Sequence, residues 1–216
     1  MVFQDNASQA ETDNNFVLPP NVTCFSRGKN AQISERHLYL QRLRNRDLSY
    51  QEFRQTANKL FELIADAMIP HLENHEVILT PIFRAGLSLL PVFMNRLENA
   101  RLCSIGVKRN EETAMPEPYL FKVPPNVAQD AKFVILEPMI ATAGTMCYSL
   151  GMMKKQGYNL NNIEIISIFC ALEAVTKLQK EFPEIHIHTE VVDPILDDHK
   201  YIVPGCGDFG DRYFGT

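Results

Sequence analysis

Apolar positions follow two different periods along this chain. Between residues 53 and 68 they recur on one face at helical spacing, behind a capping box formed by Ser49 and Glu52, and we expect Pro70 to end this helix. From residue 77 onward, short and continuous apolar runs alternate with helical segments. We predict strands over 77–83, 102–108, 132–137, 163–169 and 187–192, and helices over 86–98, 143–156 and 171–181.

Strands that are apolar throughout are typical of a parallel sheet that is covered on both faces. The pattern therefore predicts an α/β fold, a doubly wound and mostly parallel sheet with flanking helices. In such sheets ligands bind beyond the carboxyl ends of the strands, so the segments that leave the strands are the candidate sites. Residues 1–30 are polar and acidic at first and are expected to form a partly flexible N-terminal arm before a domain over 31–216.

The composition narrows the class of protein. The chain has 216 residues, 45% of them hydrophobic, and a net charge of −5, which favours one globular domain and disfavours a nucleic-acid partner. We expect no membrane association and a cytoplasmic location, because no apolar run reaches about 18 residues and the first residues do not resemble a secretion signal. Five arginines between residues 36 and 54 are interpreted as a solvated helix face rather than an anion site.

The most informative segment is FVILEPMIATAGTM, residues 133–146. A buried strand ends at Glu137, and the small residues of 142–145 then open a helix. Converging backbone N–H groups at a helix N-terminus form a seat for a phosphate, and Glu137 is placed to accept hydrogen bonds from the hydroxyls of an adjoining sugar. A plain strand–turn–helix without a ligand remains the alternative at this point.

Two other strand ends carry cations. Arg84 lies beside Ala85 and Gly86, and its planar guanidinium suits a diphosphate. Arg109 follows another strand, where it either reaches the same anion or is an ordinary solvated cation. The C-terminal segment 201–216 has four glycines, a proline and two aspartates before its end, which predicts a tight loop whose backbone groups face a small ligand.

Together these motifs resemble the uracil phosphoribosyltransferases over roughly residues 31–216. The family's loop for phosphoribosyl diphosphate (PRPP) corresponds to Glu137–Thr145, and its Arg-Ala-Gly turn begins at Arg84. Its Arg-Asn-Glu-Glu segment begins at Arg109, and its uracil loop corresponds to 201–211.

The resemblance implies a type I phosphoribosyltransferase-like fold and the conversion of uracil and PRPP to UMP and diphosphate. It implies Mg²⁺ as the cofactor, held mainly through PRPP with a water-mediated contact to Asp208. Arg84, Arg109 and Asp208 are the implied catalytic residues. Uracil would be bound by Ile202, Gly207, Asp208 and Phe209, with the ring of Phe209 or Tyr213 covering the base. The implied PRPP-binding residues are Arg84, Arg109, Glu137, Pro138, Met139, Ile140, Ala141, Thr142, Ala143, Gly144, Thr145 and Asp208.

The chain departs from the family pattern in two places. Glu137 stands where the family has Asp, and its side chain is one methylene longer. A β-hairpin that the family places before the Arg-Ala-Gly strand is missing, since His71 leads almost directly into 77–83. We expect a homodimer or a higher homo-oligomer whose interface is altered by that loss. The alternative function is a regulatory protein on the same scaffold that binds PRPP or UMP with little turnover.

Overall fold

A computed structural model describes residues 16–27, 31–109 and 116–216 of the protein, without the side chains of residues 31–34, 109 and 116. Short 3₁₀ helices at Ala85–Ser88 and Leu160–Asn162 accompany the longer elements. The helices are α1 (Ala31–Arg44), α2 (Tyr50–Leu72), α3 (Leu90–Arg96), α4 (Gly144–Lys155), α5 (Leu172–Glu181) and α6 (Phe209–Phe214). The strands are β1 (Val22–Cys24), β2 (Val77–Phe83), β3 (Arg101–Leu102), β4 (Ser104–Arg109), β5 (Pro116–Lys122), β6 (Lys132–Leu136), β7 (Met139–Ile140), β8 (Ile163–Ile166), β9 (Phe169–Ala171), β10 (His186–Thr189), β11 (Val191–Asp193), β12 (Ile195–Leu196) and β13 (Ile202–Val203).

The main sheet has the strand order β1-β10-β8-β6-β2-β4-β5, with β3 also paired to β2. Its strands are parallel except for β5, which runs antiparallel to β4 at the edge. The register aligns Ile78 with Phe133, and Phe133 with Ile163, so the central strands present apolar side chains side by side. The predicted fold class, a mostly parallel α/β sheet with flanking helices, is confirmed.

A second sheet, β11-β9-β7, continues the first one beyond a bend. The strands predicted over 163–169 and 187–192 each divide at this bend, into β8 and β9 and into β10 and β11. The bend is fixed by backbone hydrogen bonds: the N–H of Ser167 donates to His188 O at 2.8 Å, and that of Phe169 donates to Pro138 O at 3.0 Å. The second sheet therefore begins where the predicted phosphate seat lies.

Helix α2 supplies the apolar wall against which α1, α3 and α6 pack. Phe53, Leu60 and Ile64 on its predicted face are fully buried, and both hydrogen bonds of the capping box between Ser49 and Glu52 are present. The prediction that Pro70 ends the helix is wrong, because α2 runs on to Leu72. Leu72 is fully buried, and the next N–H, of Glu73, donates to Ile69 O at 2.9 Å, so packing outweighs the hydrogen bond that proline cannot donate.

Besides the short strands β7, β12 and β13 and the 3₁₀ helix at Leu160–Asn162, three described elements were not predicted from the sequence. They are the edge strand β5, helix α6, and strand β1, which pairs in parallel with β10 inside the predicted N-terminal arm. Other parts of that arm, residues 1–15 and 28–30, lie outside the described residues, so the division at residue 30 stays a prediction. Between α2 and β2 the chain has only residues 73–76, and these leave no room for the family's hairpin. None of the described helices has the length and apolar character needed to cross a membrane.

An ionic cluster lies near the start of strands β6 and β8 of the main sheet. Glu164, on β8, is 2% exposed. It accepts a hydrogen bond from Lys132 Nζ at 3.0 Å and contacts the Nε2 atoms of His188 at 2.6 Å and His71 at 3.1 Å. Burial opposes the ionised form, yet the bonds from His188 and Lys132 hold the pKa of Glu164 well below its usual range.

Candidate active site

The predicted phosphate seat lies where β6 passes through β7 into α4. The N–H of Glu137 donates to Ile166 O at 3.1 Å, which fixes the end of β6 against β8. Ala143 is the N-cap of α4 and is left-handed, with φ of 58°. Thr142 Oγ1 accepts from the N–H of Gly144 at 3.4 Å. A Cβ added to Gly144 would meet only Thr142 Oγ1, at 3.6 Å, so the space in front of this helix end is open.

This segment surrounds a cavity of about 290 Å³, which we call the cradle cavity. Of the predicted PRPP loop, only Pro138 is absent from its lining. The carbonyl of Pro138 instead accepts from the N–H groups of Ile168 and Phe169, so this residue holds the loop to β9. The cradle cavity is lined by Ile82, Phe83, Arg84, Ala85, Val107, Glu137, Met139, Ile140, Ala141, Thr142, Ala143, Gly144, Thr145 and Met146.

Arg84 enters the cradle cavity from the end of β2. The peptide bond between Phe83 and Arg84 is cis. Arg84 Nη2 donates to Asp211 Oδ1 at 3.1 Å, and both side chains of this pair are about half exposed. The backbone here passes so close to β6 that an added Cβ on Gly86 would overlap the carbonyl oxygen of Leu136. Arg109 ends β4, but its side chain lies outside the described residues and its predicted role stays a prediction.

The predicted C-terminal loop follows β13 and leads into α6. Val203–Pro204 is a cis peptide bond, and Gly205 and Gly207 adopt positive φ angles of 50° and 85°. Asp208 caps α6 by accepting from the N–H of Asp211 at 2.9 Å. The loop borders a second cavity of about 370 Å³, the loop cavity, which contains all four residues predicted to bind a base. Its lining is Ala85, Glu137, Met139, Ala141, Thr142, His199, Lys200, Tyr201, Ile202, Gly207, Asp208, Phe209 and Gly210.

The two cavities form one cleft. Five residues line both of them, namely Ala85, Glu137, Met139, Ala141 and Thr142. Glu137 thus stands where the phosphate seat meets the loop. The pKa of Glu137 is raised to about 8, chiefly by burial, with the N–H of Met139 acting to lower it and the Asp208 carboxylate acting to raise it. Without a bound ligand, the carboxyl group of Glu137 therefore carries a proton near neutral pH.

The rings of Phe209 and Tyr213, one of which is expected to cover a base, also pack against helix α2, and that expected role stays a prediction. Phe209 is 1% exposed, and its ring packs edge-on against Phe53 with centroids 5.0 Å apart. Tyr213 stacks on Phe209 at 6.0 Å and bonds through its hydroxyl to Asn58. The rings therefore anchor the loop to α2.

His199 and Lys200 also line the loop cavity, and neither was predicted from the sequence. They belong to the turn between β12 and β13, in which Asp197 Oδ1 accepts from the N–H groups of His199 and Tyr201, each at 2.9 Å. Extending the loop motif by two residues toward the N-terminus finds them. The described residues contain no group of three or more His, Cys, Asp or Glu side chains that could hold a metal ion.

Solved structures with this architecture define the class. The AQ2163 protein from Aquifex aeolicus superposes with a TM-score of 0.76 at 26% identity, covering 90% of this chain and 98% of that one. The adenine phosphoribosyl transferase from Trypanosoma brucei superposes with a TM-score of 0.58 over 88% of this chain and 89% of its own, and its 17% identity shows the fold alone. The fold is that of the type I phosphoribosyltransferases.

Sequence comparison narrows the class to one family. The family described as Uracil phosphoribosyltransferase matches residues 70–216. The uracil phosphoribosyltransferase of Metamycoplasma hominis is 33% identical over 193 residues, covering 81% of this chain and 91% of the relative. The chain belongs to the uracil phosphoribosyltransferase family.

Proposed function

We propose that this protein joins uracil to PRPP, forming UMP and diphosphate, as a pentosyltransferase of pyrimidine salvage. The observation that carries the proposal is the single cleft, in which a phosphate seat at a helix N-terminus meets a loop of exposed backbone groups. The family membership supports it, because relatives matching 81% of this chain carry the name of that enzyme. The regulatory alternative is not favoured.

The cradle cavity is assigned to the phosphates of PRPP. The 5′-phosphate would accept hydrogen bonds from the first N–H groups of α4 and from the hydroxyls of Thr142 and Thr145. From its position beside the cradle cavity, Arg84 would bind the diphosphate. Arg109 would reach the same group from the end of β4. The exposed pair between Arg84 and Asp211 is weak, so Arg84 is readily released to an anion of higher charge.

The loop cavity is assigned to uracil. Along one edge uracil offers an acceptor, a donor and an acceptor, and the backbone groups of Ile202 and of 207–209 would supply the complement. Cytosine would place a donor against a donor. Because this leaves buried polar groups unpaired, the loop would reject cytosine.

Glu137 lies between the two cavities, where the ribose must be. Its ionised carboxylate would accept hydrogen bonds from the ribose hydroxyls, so PRPP binding would displace the proton that the free protein holds there. We propose Mg²⁺ as the cofactor, held through PRPP with Asp208 nearby, because Asp208 and Glu137 present only oxygen donors, which suit Mg²⁺. When bound, Mg²⁺ supplies positive charge that neutralises the leaving diphosphate.

The decisive experiment uses the purified protein with uracil, PRPP and Mg²⁺. Stoichiometric formation of UMP and diphosphate is the expected result. Binding of PRPP or UMP without turnover would instead favour the regulatory alternative. The homo-oligomer and the cytoplasmic location stay predictions, and light scattering of the purified protein measures the first.

A further inference from the structure

The loop formed by residues 204–208 is held in place by an ion pair whose two residues line neither cavity. Arg44, the last residue of α1, donates from Nη1 to Asp193 Oδ2 at 2.9 Å and from Nη2 to Oδ1 at 2.7 Å. The same Nη1 donates to Gly205 O at 3.1 Å, and Asp193 Oδ2 accepts from the N–H of Gly205 at 3.1 Å. Both polar backbone groups of Gly205 are thus bonded to one bidentate pair.

A second arginine holds the next peptide of the loop. Arg212 Nη1 donates to Cys206 O at 2.7 Å. Its terminal nitrogens also donate to Leu43 O at 2.7 Å, in the last turn of α1, and to Asn45 O at 2.6 Å, in the connection between α1 and α2. The loop is therefore tied to a segment that lies about 160 residues earlier in the chain.

Both guanidinium groups are fixed by the rings beneath them. The guanidinium carbon of Arg212 is 4.1 Å from the centre of the Phe53 ring, and that of Arg44 is 5.0 Å from the centre of the Phe169 ring. The side chain of Arg44 is 13% exposed and that of Asp193 is 2% exposed. Planar guanidinium groups that are stacked and desolvated in this way hold their hydrogen-bond partners in one geometry.

We propose that Arg44 and Arg212 are positioning residues for base recognition, acting through the backbone of the loop. Gly205 and Gly207 give this segment little stiffness of its own. In a trans peptide the C=O and N–H groups point in opposite directions, so holding the Cys206 carbonyl toward Arg212 turns the N–H of Gly207 away from it. Gly207 lines the loop cavity, where that N–H is available to a base. The inference rests on the proposed function.

The test replaces Arg44 by lysine, which keeps the charge and loses the planar fork. We expect Arg44→Lys to raise the KM for uracil by about 10- to 100-fold, since charge-assisted bonds to the loop are lost. The KM for PRPP should stay within about twofold of the parent, because the cradle is held by other elements. Discrimination between uracil and cytosine should fall as the loop loses its single geometry.

The matched control is Arg42→Lys, two residues earlier on α1. Arg42 is half exposed and, among the described side chains, forms one 3.6 Å ion pair with Glu52, so this variant should match the parent. Thermal denaturation of each variant separates loop effects from a general loss of structure.

The possible outcomes are distinct. A parent without UMP synthesis rejects the proposed function and this inference with it. An active parent in which Arg44→Lys behaves like Arg42→Lys rejects this inference alone, as does an equal rise in the KM of both substrates. Should Arg44→Lys fail to fold, Arg212→Lys is judged by the same two KM values, and failure of both to fold would show a general structural role and overturn the inference.

Discussion

At Gly86 the turn that carries Arg84 lies directly against the end of β6, so Gly86→Ala is a sharp probe of that contact. An added Cβ would fall about 1 Å inside the 3.0 Å limit of real contacts with the carbonyl oxygen of Leu136. It would also lie 3.1 Å from Pro81 Cα. Both neighbours are backbone atoms of central strands, so relief requires the turn carrying Arg84 to move away from Glu137 by about 1 Å.

Two magnitudes follow from that displacement. Overpacking of this kind costs about 1–3 kcal/mol of stability, which in a chain of this size lowers the melting temperature by roughly 2–12 °C. A shift of about 1 Å between Arg84 and the cradle lowers kcat by about 100-fold. Steady-state UMP synthesis and calorimetric denaturation of Gly86→Ala measure both quantities.

Gly151→Ala is the matched control, because a Cβ on that helical glycine meets nothing within 4 Å. It should keep full activity and gain up to about 1 kcal/mol in stability from helix propensity. Gly86→Ala with the activity of the parent would show that the turn adapts without moving Arg84, and would refute this account of the site.

Four further predictions concern single residues. Gly144→Val should abolish PRPP binding in calorimetry while leaving the melting temperature nearly unchanged, because its side chain enters open space that the phosphate needs; unchanged affinity in the folded variant would contradict the assignment. Arg84→Lys keeps the charge without the fork and should lower kcat by about 10- to 100-fold; a variant as active as the parent would reduce Arg84 to a nearby charge. The pKa of Glu137 is raised to about 8, so Glu137 loses its proton as pH rises from about 6.5 to 8.5. Over that range the parent should bind PRPP more tightly, as measured by calorimetry, and should lose stability, as measured by denaturation. Glu137→Gln, which has no proton to lose, should show neither trend. The pKa of Glu164 is lowered, so the stability that the ionised Glu164 gives the protein is present above the ordinary carboxyl pKa and is lost as pH falls. Glu164→Gln should therefore cost about 3–5 kcal/mol in urea denaturation at pH 7 and much less at low pH. An equal cost at both pH values would show that the charge of Glu164 does not stabilise the protein.

The central sheet was predictable because its strands are buried on both faces. Val77–Phe83 is apolar except for the buried Thr80 and was predicted with its observed bounds. Strand β5, PEPYLFK, was missed because its two prolines are typical of loops, yet an antiparallel edge strand tolerates proline where no hydrogen bond is needed. Helix α6 is short and contains glycine, and it depends on the packing of Phe209 against Phe53, a tertiary contact, in addition to its local Asp208 cap.

The site was predictable as far as it follows local motifs. The cradle residues lie together in one strand–turn–helix, and all but Pro138 line the cavity. Contacts between residues that are far apart in the sequence do not produce a local sequence pattern from which they could be predicted. The interpretation of the arginines at 36–54 as a solvated face is wrong for Arg36, which is 4% exposed and paired with the buried Glu190, and for Arg44, which is paired with Asp193. Acids some 150 residues away decide their burial.

The bonds between the α1–α2 connection and the C-terminal loop also set an order of assembly during synthesis. The cradle and its neighbours, β2, β6 and α4, lie within residues 77–155, so a nascent chain can pair them while its remainder is still being made. Arg44 finds Asp193 and Gly205, and Leu43 finds Arg212, only after about 160 more residues have left the ribosome. Until then α2 has no cover from α6 over its aromatic side chains. Ribosome-bound chains that end near residue 200 therefore still expose the aromatic side chains of α2 that α6 later covers.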